Sequence, residues 1–395
     1  MRWLWDLSLG KALGWVGHHQ SAARHFQLAI TLHSQHLLAY FLLGWSYGKL
    51  KQYERAISTF DQALQIAPDR AYAHAHKALS CAYLGRYQEG AHGLERAFRI
   101  QPKYRSSPSY VESLGVCYSN LGQFESALEA YRSAEKLSPR NAEYAFRVGS
   151  ALFKLERFQE AEAPLRRAAS LDPDNVDFRY SLAVALYHLK RFGESIDILR
   201  SIARCLPERA DVYMAIALNH KNDGRPADAV TALQDALRVE PDNSEAYLQL
   251  AVAYGENGKW EESLAAGKKL AELRSKDELG YLVTAGSYYE LKKYSEAIDA
   301  CNQALRINPK SSSALESLAS SYAMTGRYGE AAATLKQAIR ISPDAPHLHA
   351  SLAEAYIELG DIPAANAEQR ALRNLDPSLA ADVEKFIAGR REHQG

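Results

Sequence analysis

Four cysteines in 395 residues, Cys81, Cys117, Cys205 and Cys301, are too few and too scattered for a disulfide framework. No CxxC or zinc-ligand spacing occurs, so packing thiols in a reducing, cytoplasmic compartment are expected. Net charge is missing too: 47 basic side chains balance 47 acidic ones. That removes the global electrostatic case for nucleic acid or for an anionic membrane. No run of about 18 apolar residues is present, so no transmembrane helix is expected. The N-terminal stretch MRWLWDLSLGKALGWVG is apolar, but Asp6 and Lys11 interrupt it and no clear small-residue cleavage site follows. A signal peptide is therefore not expected. Phosphate-loop, dinucleotide, HExxH and GxSxG motifs are all lacking. His18 and His19 are adjacent, so on a helix they point about 100° apart. His33 and His36 read as polar residues of a linking turn. No catalytic residue, cofactor or metal is assigned, and the chain is not expected to be an enzyme.

What the sequence does contain is a period. Pro68, Pro102, Pro139, Pro173, Pro207, Pro241, Pro309, Pro343 and Pro377 recur at 34 residues, apart from an insertion of three near YRSSP and a skipped proline at Ser275. Eleven units follow, beginning at residues 3, 37, 71, 108, 142, 176, 210, 244, 278, 312 and 346. Position 8 of every unit is Gly or Ala, from Gly10 and Gly44 to Ala353, and position 20 is never large. Each unit carries two amphipathic helical patterns split by a turn that often holds glycine, as at Gly85, Gly122, Gly224, Gly258, Gly326 and Gly360. Antiparallel helices approach closely only where side chains are short, which explains the small positions. Proline at position 32 stops the second helix. Pro164 falls inside a second helix, where a local kink is expected. The eighth unit departs from the pattern: Gly267 replaces a large residue, Leu270 an alanine and Ser275 the proline, which predicts a void or a displaced neighbour.

A 34-residue unit with aromatic, Leu, Gly/Ala, Tyr, Ala, aromatic, Ala and Pro in that order resembles the tetratricopeptide repeat. The second unit, YFLLGWSYGKLKQYERAISTFDQALQIAP, matches at nearly every signature site, and the resemblance covers residues 3–379. It implies an all-α, right-handed α-solenoid superhelix of about eleven repeats. Residues 378–391, SLAADVEKFIAGRR, read as a C-terminal capping helix, with 392–395 as a tail.

In that family the first helices line a concave groove. Carried onto this chain, position 5 gives Phe146, Tyr180, Met214, Leu248 and Leu282, and position 12 gives Phe153, Tyr187, Lys221, Gly255 and Tyr289. Position 13 gives Asn120, Lys154, His188, Asn222, Glu256 and Glu290. An apolar ladder beside a polar one suits an extended peptide or a helix of a partner. The expected groove comprises Asn120, Phe146, Phe153, Lys154, Tyr180, Tyr187, His188, Met214, Lys221, Asn222, Leu248 and Tyr289. Toward the C-terminus the polar ladder turns acidic at Glu256, Glu290 and Glu358, joined by Glu316 and Glu354, so a segment lying on units 8–11 is expected to be neutral or basic. Two ligand modes of the family lack their residues here. No unit pairs Lys at position 5 with Asn at position 9, and no Asn stands at position 6. The expected function is a non-catalytic protein–protein interaction scaffold. The alternative is a targeting or adaptor subunit of an enzyme or envelope-assembly complex. It would dock through the Trp-rich N-terminus, with Trp3, Trp5 and Trp15 serving self-association or peripheral membrane contact.

Overall fold

The computed structural model describes residues 2–392, and within them every regular element is helical. The part of the expected tail beyond Glu392 lies outside the described residues. The chain divides into two compact units, residues 1–198 and 199–395. The first contains α1 (Arg2–Trp15), α2 (His19–Leu32), α3 (Leu37–Lys49), α4 (Tyr53–Ile66), α5 (Ala71–Tyr83) and α6 (Tyr87–Ile100). It continues with α7 (Pro108–Asn120), α8 (Phe124–Leu137), α9 (Ala142–Lys154), α10 (Phe158–Leu171) and α11 (Val176–His188), and α12 (Phe192–Cys205) crosses the division. The second contains α13 (Ala210–Asn222), α14 (Pro226–Val239), α15 (Ser244–Glu256), α16 (Trp260–Leu273), α17 (Leu279–Glu290) and α18 (Tyr294–Ile307). It ends with α19 (Ser312–Met324), α20 (Tyr328–Ile341), α21 (Pro346–Glu358), α22 (Ile362–Leu375) and α23 (Pro377–Glu392). Within each unit a helix packs on its sequence neighbour, and odd-numbered helices also touch one another, as α3 does α5 and α17 does α19.

Close packing of the pairs rests on small-into-large contacts. A methyl group at Gly44 would lie 2.7 Å from the Phe60 ring, and one at Gly10 would lie 2.6 Å from that of Phe26. Gly115 stands in the same way against Tyr131, and Gly149 against Leu165. The large partners are buried, Phe60 to 1% exposure. Each such side chain contributes about 1.5–3 kcal/mol through burial. Where position 20 is Ser instead of Ala, the hydroxyl is satisfied: Ser195 Oγ donates to the Ala183 carbonyl at 2.8 Å, and Ser263 Oγ to that of Ala251 at 2.9 Å.

Polar tips at position 4 serve the junctions. Tyr40 OH donates to the Ser34 carbonyl at 3.0 Å. His74 and His349 place Nε2 2.8 and 2.9 Å from the carbonyls of Pro68 and Pro343, the same point of the preceding repeat. Histidine can replace tyrosine there because both carry a donor on a ring of similar reach.

The turn inside each helix pair is built one way throughout. Gly17, Gly85, Gly122, Gly224, Gly258, Gly326 and Gly360 have φ between 68 and 85°. Lys51, Glu156, Lys190 and Lys292 hold the equivalent place at φ 57 to 59°. Glycine is thus preferred at this turn but not obligatory. The three-residue insertion is absorbed outside the helices, as a 3-10 turn over Pro102–Ser106. The helix α10 runs through the buried Pro164 without a break.

The eighth repeat closes up instead of leaving a void. A methyl at Gly267 would meet Val283 Cγ1 at 2.9 Å, and one at Gly280 would lie 2.5 Å from the Ala271 Cα. Lost side-chain volume is replaced by near contact of the α16 and α17 backbones. At the C-terminus α23 packs on α21 and α22, burying Ala380, Val383 and Ile387 in their cluster.

Candidate protein-interaction face

In residues 1–198 the sequence-predicted site residues fall on α7, α9 and α11. Asn120, Lys154 and His188 are exposed, whereas Phe146, Phe153, Tyr180 and Tyr187 are half-buried. The Asn120 amide is already engaged, since Nδ2 donates to the Val116 carbonyl of its own helix at 2.9 Å. Phe146 leans on Phe178 with ring centroids 4.8 Å apart, and both Phe146 and Phe153 border the α8–α11 core. Their outer faces alone are left for a ligand.

His188 belongs to an aromatic group more than to a polar ladder. Its ring stacks on Phe158 at 4.3 Å and 12°, and meets Phe153 at 5.2 Å and Tyr187 at 5.4 Å. Phe192 joins the group through Tyr187 at 5.7 Å. Phe158 and Phe192 did not figure among the predicted residues. Their signal was available in the sequence as the aromatic two residues after the turn, repeated at Tyr53, Trp260, Tyr294 and Tyr328. These residues open the second helices and cover the ends of the first.

In residues 199–395, Met214 and Leu248 are half-buried and Lys221 and Asn222 are exposed. Lys221 Nζ pairs with Glu256 at 3.2 Å, which neutralises that position. Asn222 Nδ2 donates to the Leu218 carbonyl at 2.8 Å, like Asn120 in the other unit. Tyr289 meets Tyr294 edge-on at 5.4 Å, and burial raises its hydroxyl pKa. It lines two cavities, of about 370 and 430 Å³, that hold Glu290, Glu316, Glu354 and Glu358. Partial desolvation pushes the Glu354 carboxyl up, although the residue is exposed.

Among the described residues no cluster of three or more His, Cys, Asp or Glu side chains could hold a metal. His33 and His36 face Trp3, at 5.2 and 4.7 Å. No helix among these residues is long and apolar enough to cross a membrane.

Sequence profiles described as the tetratricopeptide repeat match residues 38–70, 75–142, 114–175, 149–210, 214–278, 282–346 and 322–386. The chain belongs to the tetratricopeptide repeat family. Such repeats are typically non-catalytic, and their coarse role as protein–protein interaction scaffolds extends to the chain. Small glutamine-rich tetratricopeptide repeat-containing protein 2 of Saccharomyces cerevisiae is 31% identical over 97 residues, 25% of this chain and 27% of that protein. Human tetratricopeptide repeat protein 6 is 35% identical over 65 residues, 16% of this chain and 12% of its own length. These alignments thus span about a quarter and an eighth of the two relatives. The crystal structure of yeast Tom70 superimposes with a TM-score of 0.41 at 13% identity, covering 99% of this chain and 96% of that one.

Proposed function

We propose that this tetratricopeptide repeat protein is a non-catalytic, cytoplasmic scaffold that holds an extended peptide or a helix of a partner along the groove face of its first helices. The observation that carries the reading is a row of half-buried aromatic and aliphatic side chains beside exposed polar ones. Phe146, Phe153, Tyr180 and Tyr187 stand beside Lys154 in one unit, and Met214 and Leu248 beside Asn222 in the other. Apolar anchors supply burial and adaptable contact, while exposed polar groups such as the Lys154 ammonium hold peptide carbonyls. Four free cysteines support a reducing setting. Affinity capture from host lysate tests it, comparing wild type with Tyr180→Ala/Tyr187→Ala at equal helicity. A partner lost from the variant supports the reading; identical capture refutes it for this face.

A second reading, an adaptor subunit docking through its N-terminus on an enzyme or envelope-assembly complex, is favoured by one feature. Trp15 is 95% exposed and Trp5 67%, next to exposed Leu4 and Val16. Trp3, in contrast, is half-buried and packs against His33 and His36. Salt-resistant co-sedimentation with liposomes, or dimerisation, that disappears in Trp5→Ser/Trp15→Ser would uphold this reading. An unchanged variant would end it.

A further inference from the structure

Two adjoining cavities lie in the C-terminal part of residues 199–395. The first, about 370 Å³, is formed by α19, α20 and α21 with Tyr289 from α17 and Phe386 from α23. The second, about 430 Å³, lies along α17 and α19 and includes Trp260. Tyr289 and Ser320 line both, so the two make one cleft. Its apolar lining includes four aromatic rings, Tyr289, Tyr328, Phe386 and Trp260, and the thioether of Met324. Phe386 and Met324 are 62% and 52% exposed, which leaves much of each side chain unpacked.

The charged lining is of a single sign. Glu354 and Glu358 line the first cavity and Glu290 and Glu316 the second, and neither contains a Lys or Arg. Several carboxylates elsewhere in the chain sit on guanidinium groups instead. Glu162 is held by both Arg166 and Arg191, Glu194 by Arg191, and Glu245 by Arg274. In the cleft Glu316 has only His347, at 3.5 Å. Desolvation raises the Glu354 carboxyl pKa. A partly desolvated carboxylate favours a cation entering beside it, even where, as at Glu354, much of the side chain stays exposed. Aromatic faces next to carboxylates add a cation–π attraction, and the aliphatic stem of Lys or Arg can lie along the same rings.

We propose that this cleft docks a basic segment of a partner polypeptide, with a Lys or Arg side chain set among Tyr289, Tyr328 and Phe386, countered by Glu290 and Glu354, and flanking apolar residues against Met324 and Trp260. The proposal rests on the scaffold reading above but uses a different stretch of the first-helix face. An acidic segment would meet four carboxylates and no Lys or Arg in the lining there.

The test pans a phage-displayed library of random dodecapeptides on the full-length protein. Enriched peptides are then synthesised with a fluorophore and titrated by polarisation. Wild type, Glu290→Gln/Glu354→Gln, Phe386→Ser and Tyr180→Ala/Tyr187→Ala are compared. Both Glu→Gln changes keep side-chain shape, and Phe386 is exposed, so all folds should survive; circular dichroism checks this. Enriched peptides should carry Lys or Arg beside apolar residues. Their affinity should fall about tenfold in Glu290→Gln/Glu354→Gln and similarly in Phe386→Ser, with a shallower salt dependence in the former. Acidic enriched peptides, or basic ones bound equally by Glu290→Gln/Glu354→Gln, would overturn the proposal. Peptides lost only from Tyr180→Ala/Tyr187→Ala would overturn it while leaving the central-face reading intact. Loss from the glutamate and Phe386→Ser variants but not from Tyr180→Ala/Tyr187→Ala would do the reverse, and a library with no enriched peptide would overturn both.

Discussion

Gly280 and Gly286 stand on one helix, α17, and the same substitution should move stability in opposite directions. A methyl at Gly280 would lie 2.5 Å from the Ala271 Cα and 2.8 Å from its Cβ. The obstacle is backbone, so relief requires α16 and α17 to separate. Overpacking of this kind costs about 1–3 kcal/mol. Alanine's helix preference returns at most about 1 kcal/mol, and less at the second residue of a helix. At Gly286 nothing lies within 4 Å, so only the preference operates there. Gly286→Ala should therefore stabilise by about 0.5–1 kcal/mol, and Gly280→Ala should destabilise by about 1–2 kcal/mol. Repeat arrays need not unfold in one step, so urea denaturation is best paired with site-resolved amide exchange. Exchange in α16 and the first turn of α17 should quicken by about tenfold or more in Gly280→Ala, and slow in Gly286→Ala. Shifts of the same sign would mean that close backbone approach is not why residue 280 is glycine. They would also return the eighth repeat to the void or displaced neighbour that loss of a large side chain at Gly267 predicted.

Burial, with a smaller contribution from Lys49, lowers the His76 imidazole from 6.5 to about 4, while its Nε2 sits 3.0 Å from the Tyr110 hydroxyl. The folded chain keeps it neutral, and the unfolded chain takes up a proton below about pH 6.5. Stability should therefore be lost as pH falls from about 6.5 toward 4, by about 3 kcal/mol. Urea titrations at both ends of this range should show a smaller acid loss in His76→Gln than in wild type; equal losses would remove His76 from the account. At the turns, Gly122→Ala forces an L residue to φ 74° and should cost about 1–2 kcal/mol. Lys190→Gly, at φ 59°, should be neutral or stabilising by about 0.5 kcal/mol, because relief of strain slightly exceeds the added freedom of the unfolded chain. Thermal denaturation monitored by circular dichroism compares the two.

The helical repeat pattern was legible because it is written redundantly. Gly44 and Phe60, Gly115 and Tyr131, and Gly149 and Leu165 are each a small and a large residue sixteen positions apart, and one physical need, close helix crossing, fixes both. The site was less legible. Family geometry nominated Asn120 and Asn222 for a polar ladder, yet both amides donate to carbonyls of their own helices. Lys221 lost its free charge to Glu256, a residue 35 positions away that only the stacking of repeats brings near. His188 was read from its position in the unit, but a neighbouring second helix supplied Phe158 as its stacking partner. Register tells which way a side chain starts out; its final partners come from the next repeat, and no period specifies them. The acidic character near the C-terminus was visible in sequence, whereas the cleft that collects those carboxylates needed α23 to bring Phe386 alongside.

The three extra residues after α6 fold into a 3-10 turn at Pro102–Ser106 and leave the helices on either side at their usual thirteen and fourteen residues. The turns inside the pairs show the opposite habit, each reversing the chain through a single residue of positive φ. The protein therefore has two kinds of seam. A reporter peptide, a protease site or a circularly permuted terminus placed between Lys103 and Ser107 meets a seam that already accommodates added length. The same graft at Gly122 or Gly326 would have to rebuild a hairpin.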